Sequence, residues 1–238
     1  MCGRYTLTNV APNLLAGMFG IPELEIPQLS PRFNVAPTQS AAVVRVLGPD
    51  APRSLDLLRW GLVPSWADDV NIGSRMINAR AETVAEKPAY RSSFKSKRCI
   101  IPADGFFEWQ KKPGGKKQPY WIHRRDNAPM GFAGLWARWK GVGPDGQVVE
   151  LDTFTVLTTD PHPIVAPIHD RMPAIISPGD FAAWLDPKEG RPEVLLPLIH
   201  HRNGEDLVTT PVAPRVNNPY NEGPANIQAV QHTAELFS

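Results

Sequence analysis

Two cysteines, Cys2 and Cys99, are all that the 238 residues contain. So few thiols exclude a disulfide-stapled scaffold and a cysteine-built zinc site. Cys99 sits in the apolar run RCIIP, where a free cysteine is expected to be a buried, inert strand thiol. No apolar run approaches the roughly 20 residues that span a bilayer. The opening MCGRYTLTNV also lacks the basic-then-apolar order of a secretory signal, so the expectation is a cytoplasmic protein with no membrane partner. Internal repeats and low-complexity tracts are missing as well. His162, His169 and Asp170 lie close in sequence, yet no spacing resembles a metalloprotease helix, and neither a metal nor an organic cofactor is expected.

Proline, by contrast, is abundant: 26 residues, about twice the usual 5%, spread so as to interrupt long helices repeatedly. Strand-like runs of β-branched and aromatic residues occur at AAVVRV, SLDLLRW, RCIIP, GFFEW, PYWIHR, GFAGLWARW, DTFTVLTT and PAIIS. Helical patterning is confined to PNLLAGMF, GDFAAWL and PEVLLPLIH, while KKPGGKK and KGVGPDGQ read as hairpin tips. This pattern predicts an α+β fold, a single domain rich in antiparallel sheet with a few short helices. The domain is expected to span residues 1–222, with residues 223–238 a flexible tail that tolerates truncation.

Net charge is only +1, but its distribution is uneven. Residues 75–117 carry eleven Lys/Arg against four Asp/Glu. Such a local basic field suits a phosphate backbone; a solvated face of mixed charge is the alternative.

Candidate chemistry begins at Cys2. Its neighbour Gly3 follows a small side chain that permits removal of Met1, which would leave a free 1,2-aminothiol. The amine (ordinary pKa about 7.7–8.0) is partly unprotonated at neutral pH and lies two carbons from a thiol. That pair condenses with an aldehyde to an imine and closes to a thiazolidine, because nucleophile and electrophile are tethered. INARAET offers the Asn78 amide to polarise an oxygen and the Arg80 guanidinium to grip a phosphate. Glu108 sits among aromatics in GFFEW, a setting that raises a carboxyl pKa; a solvent-facing strand glutamate is the plain alternative. In IHDRMP, His169 and Arg171 stand two apart and would share a face on an extended chain, with His169 the natural proton carrier. RFNVAPTQ and WGLVPSWA add loop-borne Asn34, Pro37 and Trp66, the last able to stack a base.

Taken in order, MCGR, FNVAPTQ, WGLVPSWA, INARAET, CIIPADGFFEW, AGLWARW, FTVLTTDP, IHDRMP and VNNP resemble the SOS response-associated peptidase (SRAP) family, from Met1 to about Pro219. That family captures abasic sites in single-stranded DNA through its N-terminal cysteine. The resemblance implies that Cys2 is the covalent residue, Asn78 an orienter, Glu108 the acid/base and His169 the proton donor for sugar ring opening. It further implies DNA contacts at Arg4, Arg80 and Arg171, with Pro37 and Trp66 on the strand-holding surface. The expected partner is single-stranded DNA carrying abasic sites, including replication-fork DNA, bound by a nucleoid-associated monomer, with an associated autopeptidase or lyase activity. One departure is Thr159-Asp160, where the family often has threonine followed by asparagine or glutamate. Rival readings are an N-terminal-nucleophile amidohydrolase, which also begins Met-Cys-Gly, a peptidase acting on itself or others, and a noncatalytic binder of modified bases.

Overall fold

Frequent prolines and short β-branched runs fold as the patterning predicts, into many strands and few helices. The computed structural model describes residues 2–142, 147–200 and 206–230. In chain order the elements are β1 (Tyr5–Leu7), α1 (Pro12–Phe19), β2 (Arg32–Val35), β3 (Ser40–Val46), β4 (Arg53–Trp60), β5 (Asn78–Arg80), α2 (Arg91–Ser96), β6 (Arg98–Ala103) and β7 (Gly105–Lys111). They continue with β8 (Lys117–Arg124), β9 (Met130–Val142), β10 (Val148–Thr159), β11 (Met172–Pro173), β12 (Ile175–Ile176), α3 (Phe181–Leu185), α4 (Pro192–His200) and β13 (Leu207–Pro211). No helix among the described residues is long and apolar enough to cross a membrane.

One sheet is antiparallel, in the order β13-β8-β7-β1-β2. In the other, pairing runs β10-β4-β3-β6-β9 and returns to β10, closing a circuit in which only β10–β4 is parallel. Two-residue alternation explains why β6 reads as an unbroken apolar run. Ile100 packs with the helices against Phe94, Phe181 and Trp184, while Cys99 and Ile101 join Tyr5, Phe106 and Phe132 between the sheets. Cys99 is fully buried, as expected.

The hairpin tip after β7 holds Gly114 and Gly115 at φ 81° and 80°, in the left-handed region that glycine adopts freely. Gly105 serves a different need: a Cβ there would lie 2.1 Å from Trp121 Nε1, so only glycine admits the indole that donates to Thr6 Oγ1. The flanks of KGVGPDGQ pair from Val142 opposite Val148, whereas residues 143–146 lie outside the described residues.

Arg98 is an internal clasp. Its guanidinium donates to the carbonyls of Phe94, Lys95, Trp184, Asp186 and Glu189, joining the C-terminal ends of α2 and α3. Burial lowers its pKa to about 10. The carbonyls it binds are those a helix end leaves unpaired, where the helix dipole is negative.

The tail boundary expected at residue 223 needs correction. Asn226 is fully buried, Ala229 bridges Val212, and the Val230 N–H donates to Pro211 O. Glu222 anchors the approach by accepting from Arg32 Nε and the Phe33 amide. The segment NEGPAN carries no strand patterning, and side-chain hydrogen bonds of Asn221, Glu222 and Asn226 hold it instead. Residues 231–238 lie outside the described residues.

Candidate active site

Strand β1 carries Cys2 in front of it and lies beside β7, which bears Glu108. Tyr5 pairs with Phe106, and the Phe107 amide donates to Arg4 O at 3.0 Å, so the residues preceding Tyr5 run alongside Glu108. Cys2 is 0% exposed, and its Sγ contacts Arg4 O at 3.6 Å. Burial, and then the neighbouring Glu108 carboxylate, push the thiol well above its ordinary range. The group is therefore held as a neutral thiol and needs a base to react.

Asn78 opens β5, which pairs in parallel with β10 with Asn78 opposite Val156. Trp60 Nε1 and the Val156 amide both donate to Ile77 O and fix the start of this short strand. Asn78 Nδ2 donates to Cys2 O at 2.7 Å, and Tyr90 Oη donates to Asn78 O at 3.3 Å. The Asn78 side-chain oxygen is buried without a hydrogen-bond partner. Such an acceptor is costly unless something supplies a donor to it.

Glu108 is only 2% exposed, not a solvent-facing strand glutamate. Burial pushes its pKa up to about 7, partly offset by the positive chain terminus. His169 approaches from the loop before β11, with Nε2 at 3.8 Å from Glu108 Oε2. Burial holds the imidazole below its ordinary range. His169 and Arg171 do not sit on an extended strand: the Arg171 amide folds back to donate to His169 Nδ1 at 3.1 Å. Nδ1 also lies 3.3 Å from Arg171 O and 3.0 Å from Asp170 Oδ1, two acceptors for a proton on that nitrogen, while Nε2 faces Glu108.

Beside this cluster lies a cleft of about 300 Å³ lined by Asn78, Ala79, Arg80, Thr158, His169, Asp170 and Arg171. Arg80 is exposed at its rim. Arg171 also lines it, but its guanidinium grips Glu82 through both carboxylate oxygens, Asp160 and the Thr158 carbonyl. Arg4 is similarly engaged, donating to Asn34 Oδ1, Val216 O and Asn217 O. In the free protein both arginines hold other parts of the chain. Pro37 is half-buried in the turn before β3, away from the cleft lining. Trp66, 60% exposed, lines a separate groove with Pro64, Arg91 and Lys97. Among the described residues, no group of three or more His, Cys, Asp or Glu could hold a metal ion, and His162 Nδ1 instead accepts from the Ile164 amide.

Four residues support the site in ways that sequence reasoning did not assign, among them Asn34, which was expected on a loop and stands in β2. Asn34 Nδ2 donates to carbonyls at Val216, Asn218 and Asn221, tying β2 to the VNNP loop. Asp104 accepts from Thr6, Thr8 and Asn9 and so holds β1 in place. Glu82 and Asp160 hold Arg171. Glu82 lies inside INARAET and Asp104 inside CIIPADGFFEW, so position within a motif was the available signal.

Chemically, the cluster combines a neutral buried thiol, a carboxyl poised near neutrality, a neutral imidazole and a primary amide around one chain terminus. These are the parts for proton shuttling at a carbonyl carbon. The chain matches the family described as SOS response associated peptidase (SRAP) over residues 1–219. It is 39% identical over 230 residues to the abasic site processing protein YoqW of Bacillus subtilis, covering 96% of this chain and 100% of that protein. With the abasic site processing protein YedK of Escherichia coli it shares 31% identity over 234 residues, covering 97% and 100% respectively. A crystal structure of a protein from Bacteroides thetaiotaomicron superposes with a TM-score of 0.79 at 25% identity, covering 97% of this chain and 100% of that one.

Proposed function

Since this chain belongs to the SRAP family, we propose that it processes abasic sites in single-stranded DNA by forming a thiazolidine between Cys2, freed by removal of Met1, and C1′ of the ring-opened sugar. The observation that carries this reading is the convergence of Asn78 and Glu108 on Cys2, with His169 3.8 Å from Glu108, from three distant segments.

His169, when protonated, gives its Nε2 proton to the ring oxygen while the Glu108 carboxylate takes the proton of the C1′ hydroxyl, and the hemiacetal opens to the aldehyde. The Cys2 amine adds to C1′ to give a carbinolamine, and Glu108, with a pKa near neutrality, delivers the proton that lets water leave as the imine forms. Glu108 then accepts the thiol proton while sulfur adds to the imine carbon, and the imine nitrogen becomes the ring amine. One water is lost overall. The raised thiol pKa makes this base assistance necessary, because little thiolate exists beforehand. Asn78 steadies the Cys2 carbonyl and offers its unpaired oxygen to the reacting sugar.

Exposed Arg80 supplies a phosphate contact, and Trp66 stacks a base without reading its identity. A single strand bends into the cleft at little cost whereas a regular duplex must be distorted, so single strands and junctions, including those at replication forks, are the preferred substrates. The protein acts as a monomer and needs no cofactor in this scheme.

The test is incubation of Met1-processed protein with a single-stranded oligonucleotide containing one abasic site. A heat-stable conjugate with the mass of protein plus DNA less one water is expected. Cys2→Ser keeps an amine capable of a transient imine and should lose the stable product. Equal yield of heat-stable conjugate from Cys2→Ser would refute the thiazolidine.

A further inference from the structure

The pairing of β1 with β2 is irregular: Tyr5 faces Val35 and Leu7 faces Arg32, so β2 runs three positions where β1 runs two. An extra residue of this kind bends a strand away from its partner. At that place a pocket of about 190 Å³ opens, lined from β1, β2, β3 and β4 and from the segment before β2. It has no residue in common with the cleft beside Cys2.

Leu7, Leu29, Val35 and Leu57 give the pocket apolar walls, with Leu57 58% exposed. Tyr5, Ser30, Arg32 and Ser40 form its polar side. Tyr5 is 1% exposed, yet its hydroxyl has no hydrogen-bond partner among the described residues. A buried tyrosine hydroxyl ordinarily has one. The ring is not free to swing towards another group, because it stands edge-on to Trp60 at 5.2 Å and to Phe132 at 6.2 Å between centroids. Burial pushes the hydroxyl above its ordinary range against the opposing charge of Arg32, so it stays an O–H donor on the Arg32 side of the pocket. Arg32 is itself countered by Glu222 at 3.0 Å, and its Nη2 donates to Gln39 Oε1. The polar side is thus rich in donors without an uncompensated charge to draw an ion.

We propose that this pocket binds a small, neutral, oxygen-bearing ring of pyrimidine-base size, whose carbonyl oxygen accepts from Tyr5 Oη while the ring packs on Leu7, Leu29 and Val35. The volume of about 190 Å³ is below the roughly 300–1,000 Å³ of sites for drug-sized molecules, which suits one ring and not a whole nucleotide. Such a ring comes either as a free base or as an unstacked base of a bound strand. Only the second source rests on the function proposed above.

The probe is uracil, titrated into the full-length protein without DNA and followed by ligand-observed NMR. Wild type is expected to bind it with a Kd on the order of 1 mM, the range open to so small a ring. Leu57→Trp, which closes the mouth from an exposed position, should abolish binding. Tyr5→Phe should weaken binding about tenfold. The same variant should keep or raise the denaturant midpoint, since the free protein loses no hydrogen bond. A lowered midpoint would give the hydroxyl a structural partner and overturn the proposal, as would no binding by wild type or equal binding by Tyr5→Phe. Displacement of uracil by an intact single-stranded thymine oligonucleotide identifies the source as a base of the strand; uracil retained beside the bound oligonucleotide identifies a free base. Absence of abasic-site capture by wild type, with uracil bound, counts against the function and leaves the pocket standing.

Discussion

Asp104 and Glu108 lie four residues apart, and each is 2% exposed, yet they occupy opposite kinds of surroundings. Asp104, at the turn into β7, accepts from the Thr6 and Thr8 hydroxyls and from the Thr8 and Asn9 amides. Its oxygens are matched by donors. Glu108, farther along the same strand and 3.8 Å from His169 Nε2, feels burial most strongly, which lifts its pKa to about 7. One carboxylate holds the first strand in place; the other is kept ready to change charge. Burial alone therefore says little about what an acid does; the groups set around it decide.

The largest effect expected from breaking this contrast is on stability. Asp104→Ala strands several buried donors and should cost about 3–5 kcal/mol, read by denaturant unfolding. A loss below about 1 kcal/mol would mean that Asp104 is not the anchor of β1.

Next in size is Glu108→Gln, which should slow single-turnover capture by about 10²–10⁴ while leaving affinity for intact single-stranded DNA nearly unchanged. An unaltered rate would remove Glu108 from the mechanism.

The third effect is a pH dependence. Because the folded-state pKa of Glu108 lies above its ordinary 4.5, the native state holds this proton more tightly, and stability should decline as pH rises from about 4.5 to about 7, then level. The decline attributable to this group is on the order of 3 kcal/mol, and Glu108→Gln should abolish it. Matching pH–stability curves for the two proteins would contradict the contrast.

The smallest effect belongs to the exposed rim. Arg80→Ala should change stability by under about 0.5 kcal/mol and flatten the salt slope of single-strand binding by roughly 0.7. An unchanged slope would show that Arg80 holds no phosphate.

Much of this was legible in the sequence because the relevant patterns are local. β6, β7, β9 and β10 announce themselves through long β-branched and aromatic runs, and GFFEW shows an acid among aromatics before any fold is known. Other elements were too short to carry a period. β1, β2 and β5 have three or four residues each, and α2, RSSFKS, has a single large apolar side chain, Phe94. Residue chemistry singled out Asn78, Arg80, His169 and Arg171 as candidates, and the family resemblance gave them roles and added Arg4. What neither could show is which donor meets which acceptor. Arg4 and Arg171 read as free cations because sequence gives their charge but not the carbonyls and carboxylates that engage them.

The engagement of Arg4 has a consequence for the order of events during synthesis. Its partners, Val216 O and Asn217 O, are separated from it by 212 and 213 positions, and β1 has its own sheet neighbours in β2 and β7. A ribosome making about 5–20 residues per second exposes Arg4 roughly ten seconds or more before those carbonyls exist. Through that interval the segment around Cys2 lacks part of its permanent housing. Contacts of such long separation form late in folding as well. The reactive segment is thus completed by residues made more than 200 positions after it, and a truncated product stopping before Val216 would carry the cysteine without the scaffold that disciplines it.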